Sequence, residues 1–298
     1  LTEAWVLKVI GRDEAPTPIK LPRFGRVLIT GGEGSIGAAL AERLRPTSLD
    51  AQQDVLLTDI KTMDVRDERN VMTQFLRFEP ELVIHLAASK HAPLGEEDPY
   101  EVVRTNVEGT HNVLDWANRI GAKVIVASTC KACDPETAYG ASKLVAERMA
   151  LNAGQVVVRY YNVVETSGNV FEIWRSAREA KREIRYTNCS RRFTTLNEAL
   201  NLTLWTASWA EEGRYSLTHT VSRSMRDVAV ALHPETDYGG WLKAMPSRRG
   251  DREEEPRHAA CERMEEMEGC EWISRVWNPH DPHYRKETNE LHPQGREK

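Results

Sequence analysis

At 298 residues, with 40 Lys and Arg against 45 Asp and Glu and a formal net charge of -5, the chain has room for one large or two small domains. The slightly acidic balance gives no general attraction for nucleic acid or an anionic membrane, so neither is an expected partner. No apolar run reaches the ~18 residues that a membrane span needs, and the first residues carry no secretion-signal pattern, which predicts a soluble, cytoplasmic protein. Five cysteines, an odd number in that setting, argue against a disulfide framework and for reduced thiols.

After an N-terminal segment, residues 1–25, short apolar runs alternate with amphipathic stretches. Strands are predicted over Arg26–Thr30, Asp54–Thr58, Glu81–Leu86, Lys123–Ser128 and Gln155–Tyr160, with helices from Ser35, Asp67, Pro99 and Ala138 between them. Near-continuous Val, Ile and Leu in the strands implies cover on both faces. The pattern is that of an α/β fold, a Rossmann-type doubly wound parallel sheet over residues 26–160. Beyond Tyr160 the units shorten, with helices over Glu172–Arg182 and Leu196–Ala210, a strand at Arg214–Leu217 and a helix from Ser224. This predicts a smaller α/β substrate-binding lobe over 161–255, interleaved with the sheet domain. Residues 256–298 form a tail rich in Glu, Arg, His and Pro, with one helix expected over Ala259–Glu268, and no internal repeat is visible.

Gly31, Gly34 and Gly37 stand three apart between the first strand and the first helix. There they permit a tight turn and let a dinucleotide pyrophosphate reach the free N–H groups of Ser35, Ile36 and Gly37. Asp59, at the end of the second strand, fits the ribose-binding acid of such folds, Asp64 the adenine side, and Ala87, beyond the third strand, completes the predicted cofactor set. Asp59 and Glu33 together repel a 2′-phosphate, which favours NAD over NADP, with Lys61 and Arg66 opposing in part.

Tyr139 and Lys143 are four apart and share a helix face, so the ammonium is expected to lower the phenol pKa and make Tyr139 a base. Thr129, Cys130 and Lys131 end the strand before them, where parallel sheets place ligands. Cys130-Lys131-Ala132-Cys133 also fits a redox C-x-x-C, but no thioredoxin-like unit surrounds it, and Cys133 reads as a small apolar residue. His258, Cys261, Cys270, His280 and His283 lack zinc-motif spacing, so no metal is expected. Met264, Met267 and Trp272 read as one packed helical face.

With these motifs placed, the chain resembles the extended short-chain dehydrogenases/reductases, and within them the CapD-like UDP-N-acetylglucosamine 4,6-dehydratases. The resemblance spans residues 7 to 255. It rests on Val9-Ile10-Gly11-Arg12, Gly34-Ser35-Ile36-Gly37, His85 to Pro93, Thr105 to Thr110, Ser128 to Lys131, Tyr139 to Lys143, Arg159 to Val163, Arg192-Phe193 and Arg249-Gly250-Asp251. It implies a tightly held NAD and a UDP-sugar in the cleft. Tyr139 would take the C4 hydroxyl proton, Lys143 hold the nicotinamide ribose, Thr129 bind the C4 oxygen and Lys131 remove the C5 proton. Lys131 would then have to be partly neutral, shielded from water or near another cation.

Lys90 and His91 would line the sugar side of the cleft, Asn162 would contact the sugar diphosphate, and Arg192 and Arg249 would neutralise phosphate or grip the uridine. Asn106 would be structural, and helices from Pro99 and Ala138 would pair two copies into a homo-oligomer. The chain departs from the family at Cys130, where the resemblance calls for an Asp that protonates the leaving C6 hydroxyl. A thiol is mostly protonated at neutral pH and can take that acid role. It donates more weakly than a carboxylic acid, however, and Lys131 beside it can instead pull it towards thiolate, which would abolish the role. The expected reaction is 4,6-dehydration. The alternatives are a 5,6-dehydratase like that of the tunicamycin pathway, a UDP-sugar 4-epimerase, and a catalytically inactive NAD-binding sensor.

Overall fold

The computed structural model describes residues 7, 9–10, 24–45, 54–90, 92–218, 220–232, 241–246, 252–267 and 270–278. His91 and Arg249 lie outside the described residues, as do Gly11, Arg12, Gly250, Asp251, His280 and His283.

The first half alternates β1 (Arg26–Thr30), α1 (Ser35–Leu44), β2 (Asp54–Thr58), α2 (Glu68–Phe78) and β3 (Leu82–His85). A short helix α3 (Ala92–Glu97) precedes α4 (Pro99–Val103), which runs through a π turn at Arg104–Glu108 into α5 (Gly109–Ile120). Then come β4 (Lys123–Thr129), α6 (Ala138–Asn152) and β5 (Val156–Tyr160). All five predicted strands of this half form, with ends within a residue of those read from the sequence.

The second half contains β6 (Asn162–Val163), α7 (Val170–Glu179), β7 (Ile184–Thr187), β8 (Ser190–Thr194), α8 (Leu196–Trp209) and β9 (Gly213–Leu217). It continues with β10 (Ser222–Ser224), α9 (Met225–Leu232), β11 (Leu242–Met245), β12 (Arg263–Met267) and β13 (Cys270–Trp277).

The main sheet has the strand order β12-β13-β9-β5-β4-β3-β1-β2. From β2 to β9 every pairing is parallel. Alternation along each strand explains why nearly every strand residue is apolar. Val27, Ile29, Ile84, Ile125 and Val158 enter a core on one face with α1 and α8 residues. Leu28, Val83, Val124, Val126 and Val157 enter a second core on the other face with α2 and α5 residues. Each such aliphatic side chain, fully buried, contributes about 1.5–3 kcal/mol. The chain passes from β1 outward to β2 and returns to β3 on the other side of β1, so the winding reverses between β1 and β3 and opens a crevice at their C-terminal ends.

Beside this sheet, β6, β8 and β10 form a three-stranded sheet and β7 pairs with β11. Phe171, Trp174, Ile184, Phe193 and Val228 pack there with Val9 and Ile10 of the N-terminal segment.

The helix expected over Ala259–Glu268 does not form. Residues 263–267 are β12, antiparallel to β13, which is antiparallel to β9. Met264, Met267 and Trp272 are therefore strand residues and not one helical face. The open edge of β9 recruits the Trp-, Ile- and Val-rich segment 272–277 as a strand, and this pairing overrides the local spacing of the methionines.

Candidate active site

Gly31 follows β1 with φ +66, and a Cβ there would lie 2.8 Å from the Ala87 nitrogen. Only glycine lets β1 and the chain after β3 approach so closely. The N-cap of α1 is Gly34, which offers no side-chain cap, so the first N–H groups of the helix stay available to an anion. A cavity of about 370 Å³ opens here, and Gly31, Gly34, Ser35, Ile36, Gly37, Asp59, Asp64 and Ala87 all line it. Uncapped N–H groups, a glycine cradle and acids on the rim fit a dinucleotide. The Ser35 hydroxyl also accepts from the Ser167 N–H at 3.0 Å, which ties this turn to the smaller lobe.

Asp59 accepts from the Lys61 and Thr62 N–H groups at 2.9 and 3.0 Å. A hydrogen bond between Glu33 and Asp59 raises the Glu33 pKa and lowers that of Asp59. The Asp64 carboxylate is taken by Arg66, at 2.9 Å from Nε and 2.7 Å from Nη2.

Behind the crevice a buried relay fixes the strand ends. The Ala87 N–H donates to the Thr30 hydroxyl at 3.1 Å, and that hydroxyl lies 2.7 Å from His85 Nδ1. His85 Nε2 lies 3.1 Å from the Thr110 hydroxyl, which donates to the Asn106 carbonyl at 2.7 Å. Burial, with Lys143 nearby, pushes His85 down to about 3, so the ring is neutral and carries its proton on Nε2. Asn106 is buried and bonded to the Ser89 carbonyl and the Ser142 hydroxyl at 3.0 and 2.9 Å, in line with its expected structural part.

At the end of β4, Thr129 caps a 3-10 turn, Cys130–Ala132, by accepting from the Lys131 N–H at 3.3 Å. Helix α6 starts against this turn, capped by Thr137 through the Gly140 N–H at 3.1 Å. A Cβ on Gly140 would lie 2.4 Å from the Lys131 carbonyl oxygen. Its absence lets Tyr139 sit beside Thr129, Cys130 and Lys131. The Lys143 ammonium donates to the Ala127 carbonyl at 2.9 Å, and burial pulls it down to about 8.

Two electrostatic expectations change, at Tyr139 and Lys131, and the choice left open at Cys130 falls to the thiol. Burial raises the Tyr139 phenol, opposed by the Lys131 ammonium and a hydrogen bond with Thr129. The cation that acts on the phenol is thus Lys131, since the Lys143 charge is drawn to a β4 carbonyl. Burial and the Glu255 carboxylate hold Cys130 up at about 12, so it is a thiol and not a thiolate. Lys131 lies beside an anion and not a cation: Glu255 Oε1 accepts from its Nζ at 2.9 Å. Burial pulls Lys131 down, but the Glu255 carboxylate works against it and the ammonium stays protonated.

A second cavity, about 620 Å³, is lined by Cys130, Lys131, Asn162, Arg191 and Glu255, and it shares Lys90 and Thr166 with the first. Thr129, Tyr139 and Lys143 are not among the lining residues of either cavity, although their neighbours Cys130, Lys131 and Thr137 line the larger one. Asn162 Nδ2 donates to Glu255 Oε2 at 2.7 Å and to the Arg192 carbonyl at 2.8 Å.

Arg192 is placed differently from the expectation. Its guanidinium donates to the carbonyls of Thr220 and Glu255 at 2.7 and 3.1 Å, and it is Arg191 that lines the cavity. The two are adjacent on β8, and successive strand residues face opposite ways. Sequence reasoning also missed Glu255. Only 4% of it is exposed, yet it stands in the run Arg252-Glu253-Glu254-Glu255, which reads as a solvated charge cluster.

A glycine turn at a sheet switch point, followed by Thr129 at the end of β4 and by Tyr139 and Lys143 on α6, defines an enzyme of the extended short-chain dehydrogenase/reductase class. More narrowly, the chain belongs to the polysaccharide biosynthesis protein family, whose model matches residues 48–255. It is 28% identical over 242 residues to a UDP-N-acetylglucosamine 4,6-dehydratase (inverting) of Campylobacter jejuni, covering 71% of this chain and 72% of that one. It is 27% identical over 263 residues to a UDP-glucose 4-epimerase of Rickettsia massiliae, covering 76% and 75%. The solved structure of Pen from Bacillus thuringiensis superposes with a TM-score of 0.73 at 24% identity, covering 87% of this chain and 88% of the other.

Proposed function

We propose that this chain is an NAD-dependent nucleotide-sugar dehydratase acting on UDP-N-acetylglucosamine or a close UDP-hexose. The reaction runs by C4 oxidation, water elimination across C5–C6 and hydride return to C6. The observation that carries this reading is the turn Thr129–Lys131. It joins an oxidation set, Thr129 with Tyr139 and Lys143, to an acid–base group, Lys131, that lines a sugar-sized cavity adjoining the dinucleotide cleft. An epimerase needs the first set alone. The similarity to a 4,6-dehydratase points the same way.

In this reading the dinucleotide lies along Gly31, Gly34, Ser35, Ile36 and Gly37 with its ribose at Asp59, and when bound it supplies a reversible hydride acceptor. Tyr139 accepts the C4 hydroxyl proton, and Thr129 holds the C4 oxygen. Lys143, anchored on the Ala127 carbonyl, keeps a positive charge one helical turn from the phenol. Lys90, Asn162 and Arg191 face the sugar diphosphate, with His91 and Arg249 as further ligands from outside the described residues. The acids at Glu33 and Asp59 favour NAD over NADP. The protein works as a homo-oligomer through helices α4 and α6, where Tyr100, Val103 and Val145 are exposed.

The test is to incubate the purified protein with UDP-N-acetylglucosamine and follow the product by mass and proton NMR. Loss of one water with a 6-methyl signal is the expected result. Alkene protons would instead mean the 5,6-dehydratase, an inverted centre at unchanged mass an epimerase, and NAD binding without turnover a sensor.

A further inference from the structure

The elimination step lacks the Asp that the resemblance calls for at position 130, and the structure brings a carboxylate to the same place from a distant segment. Resting on the dehydratase reading, we infer that Glu255 is the base that takes the C5 proton and Lys131 the acid that protonates the leaving C6 hydroxyl. This exchanges the part that the resemblance assigns to Lys131.

The geometry is that of a built pair. Glu255 and Lys131 touch at 2.9 Å, and both line the cavity that holds Cys130 and Asn162. The loop that carries Glu255 is pinned to β8 at three points. The Ser190 N–H donates to the Glu253 carbonyl at 2.7 Å, the Arg191 guanidinium to the Arg252 carbonyl at 2.9 Å, and the Arg192 guanidinium to the Glu255 carbonyl at 3.1 Å. The Asn162 amide fixes the second carboxylate oxygen at 2.7 Å. A side chain held this firmly meets the demand that a general base be preorganised.

The charges lead in the same direction. Burial opposes ionisation of Glu255, but Lys131 and Arg191 outweigh it and keep the carboxylate negative. Lys131 is kept positive by Glu255. A carboxylate has a lone pair to accept a proton, and an ammonium has a proton to give. The resting pair can therefore act without any prior proton transfer, whereas a basic Lys131 must first lose its proton beside an anion that holds it.

Once C4 is a ketone, the C5–H bond breaks reversibly, its proton going to a Glu255 oxygen and its electron pair into the enolate of the C4 ketone, which collapses to form the C5–C6 double bond. The C6–O bond breaks, its pair leaves on oxygen, and a Lys131 proton completes water. The pair is then neutral. When hydride returns to C6, Glu255 can give its proton back to C5, and Lys131 recovers one from solvent.

UDP-4-keto-N-acetylglucosamine tests this without the oxidation step, so that failure here and failure of the dehydratase reading are distinguishable. In D2O the wild type should incorporate deuterium at C5 and release water. Glu255→Gln should lose both by at least ~100-fold, and Glu255→Asp should restore part of the exchange. Lys131→Arg keeps the cation but gives up a proton with great difficulty. It should cut water loss more than exchange, raising the ratio of exchange to water loss at least ~10-fold. No exchange in the wild type, exchange retained in Glu255→Gln, no recovery in Glu255→Asp, or parallel loss of both reactions in Lys131→Arg each overturns the assignment.

Discussion

Glu262 holds the C-terminal hairpin to the sheet, and replacing it by Gln isolates one buried contact. Its Oε2 accepts from Arg159 Nη1 at 2.6 Å and from the Ala259 N–H at 2.9 Å, while Oε1 accepts from Arg159 Nη2 at 2.9 Å. Both side chains are 1% exposed. Arg159 touches two carboxylates, Glu147 and Glu262, and Glu262→Gln leaves it with one. Breaking a buried pair costs about 3–5 kcal/mol. Because Glu147 still faces the guanidinium, the lower end applies, ~3 kcal/mol, or a fall in Tm of ~6–12 °C.

Glu262 is held below the usual carboxylate range, since burial raises it but Arg159 outweighs burial. A depressed pKa stabilises the fold above the unfolded pKa, and this contribution fades as pH falls through the folded one. The gap between variant and parent should therefore narrow in acid. Urea unfolding at neutral and acidic pH measures it, with exposed Glu266→Gln as a control expected within ~0.5 kcal/mol of the parent. A neutral-pH difference as small as the control's, or one that does not change with pH, would refute the reasoning.

Tyr139→Phe should lower cofactor reduction by UDP-N-acetylglucosamine by ~10²–10⁴-fold with NAD binding intact, and full reduction in this variant removes Tyr139 from the site. Because burial raises the phenol and Lys131 opposes it, the C4 oxidation rate should climb with pH as Tyr139 ionises. Lys131→Met should move that limb to higher pH, and a stopped-flow profile that stays in place contradicts the coupling. Asp59→Asn removes one of the two rim acids and should shift the NADP-to-NAD affinity ratio up by ~10-fold, about 1.4 kcal/mol, as read by fluorescence titration. An unchanged ratio means that the acids do not select the cofactor.

What the sequence revealed follows from how local each signal is. Strands β1, β3, β4 and β5 were legible because both their faces are buried, so nearly every position along them reports apolar cover. The edge strand β2 was legible from its Val55-Leu56-Leu57 run although Leu57 is exposed. The glycine turn and the Thr129, Tyr139 and Lys143 set lie within short windows and announce themselves. Glu255 reaches Lys131 across 124 residues of chain, and no window contains that contact. Arg191 and Arg192 differ by one position, and only the register of β8 decides which faces the cavity. The sheet edge, not local periodicity, decides the fate of Met264 and Met267. At Cys130 burial leads and a carboxylate from that distant loop adds to it, whereas at Lys131 the same carboxylate works against burial.

Among the described residues, strand β12 terminates the sheet on its own side with Arg263, Glu265 and Glu266 exposed. Another chain that tried to extend the ladder there would have to strip water from alternating charges, a barrier that discourages fibre-like growth. Recruitment of strands from outside is thus disfavoured at this margin.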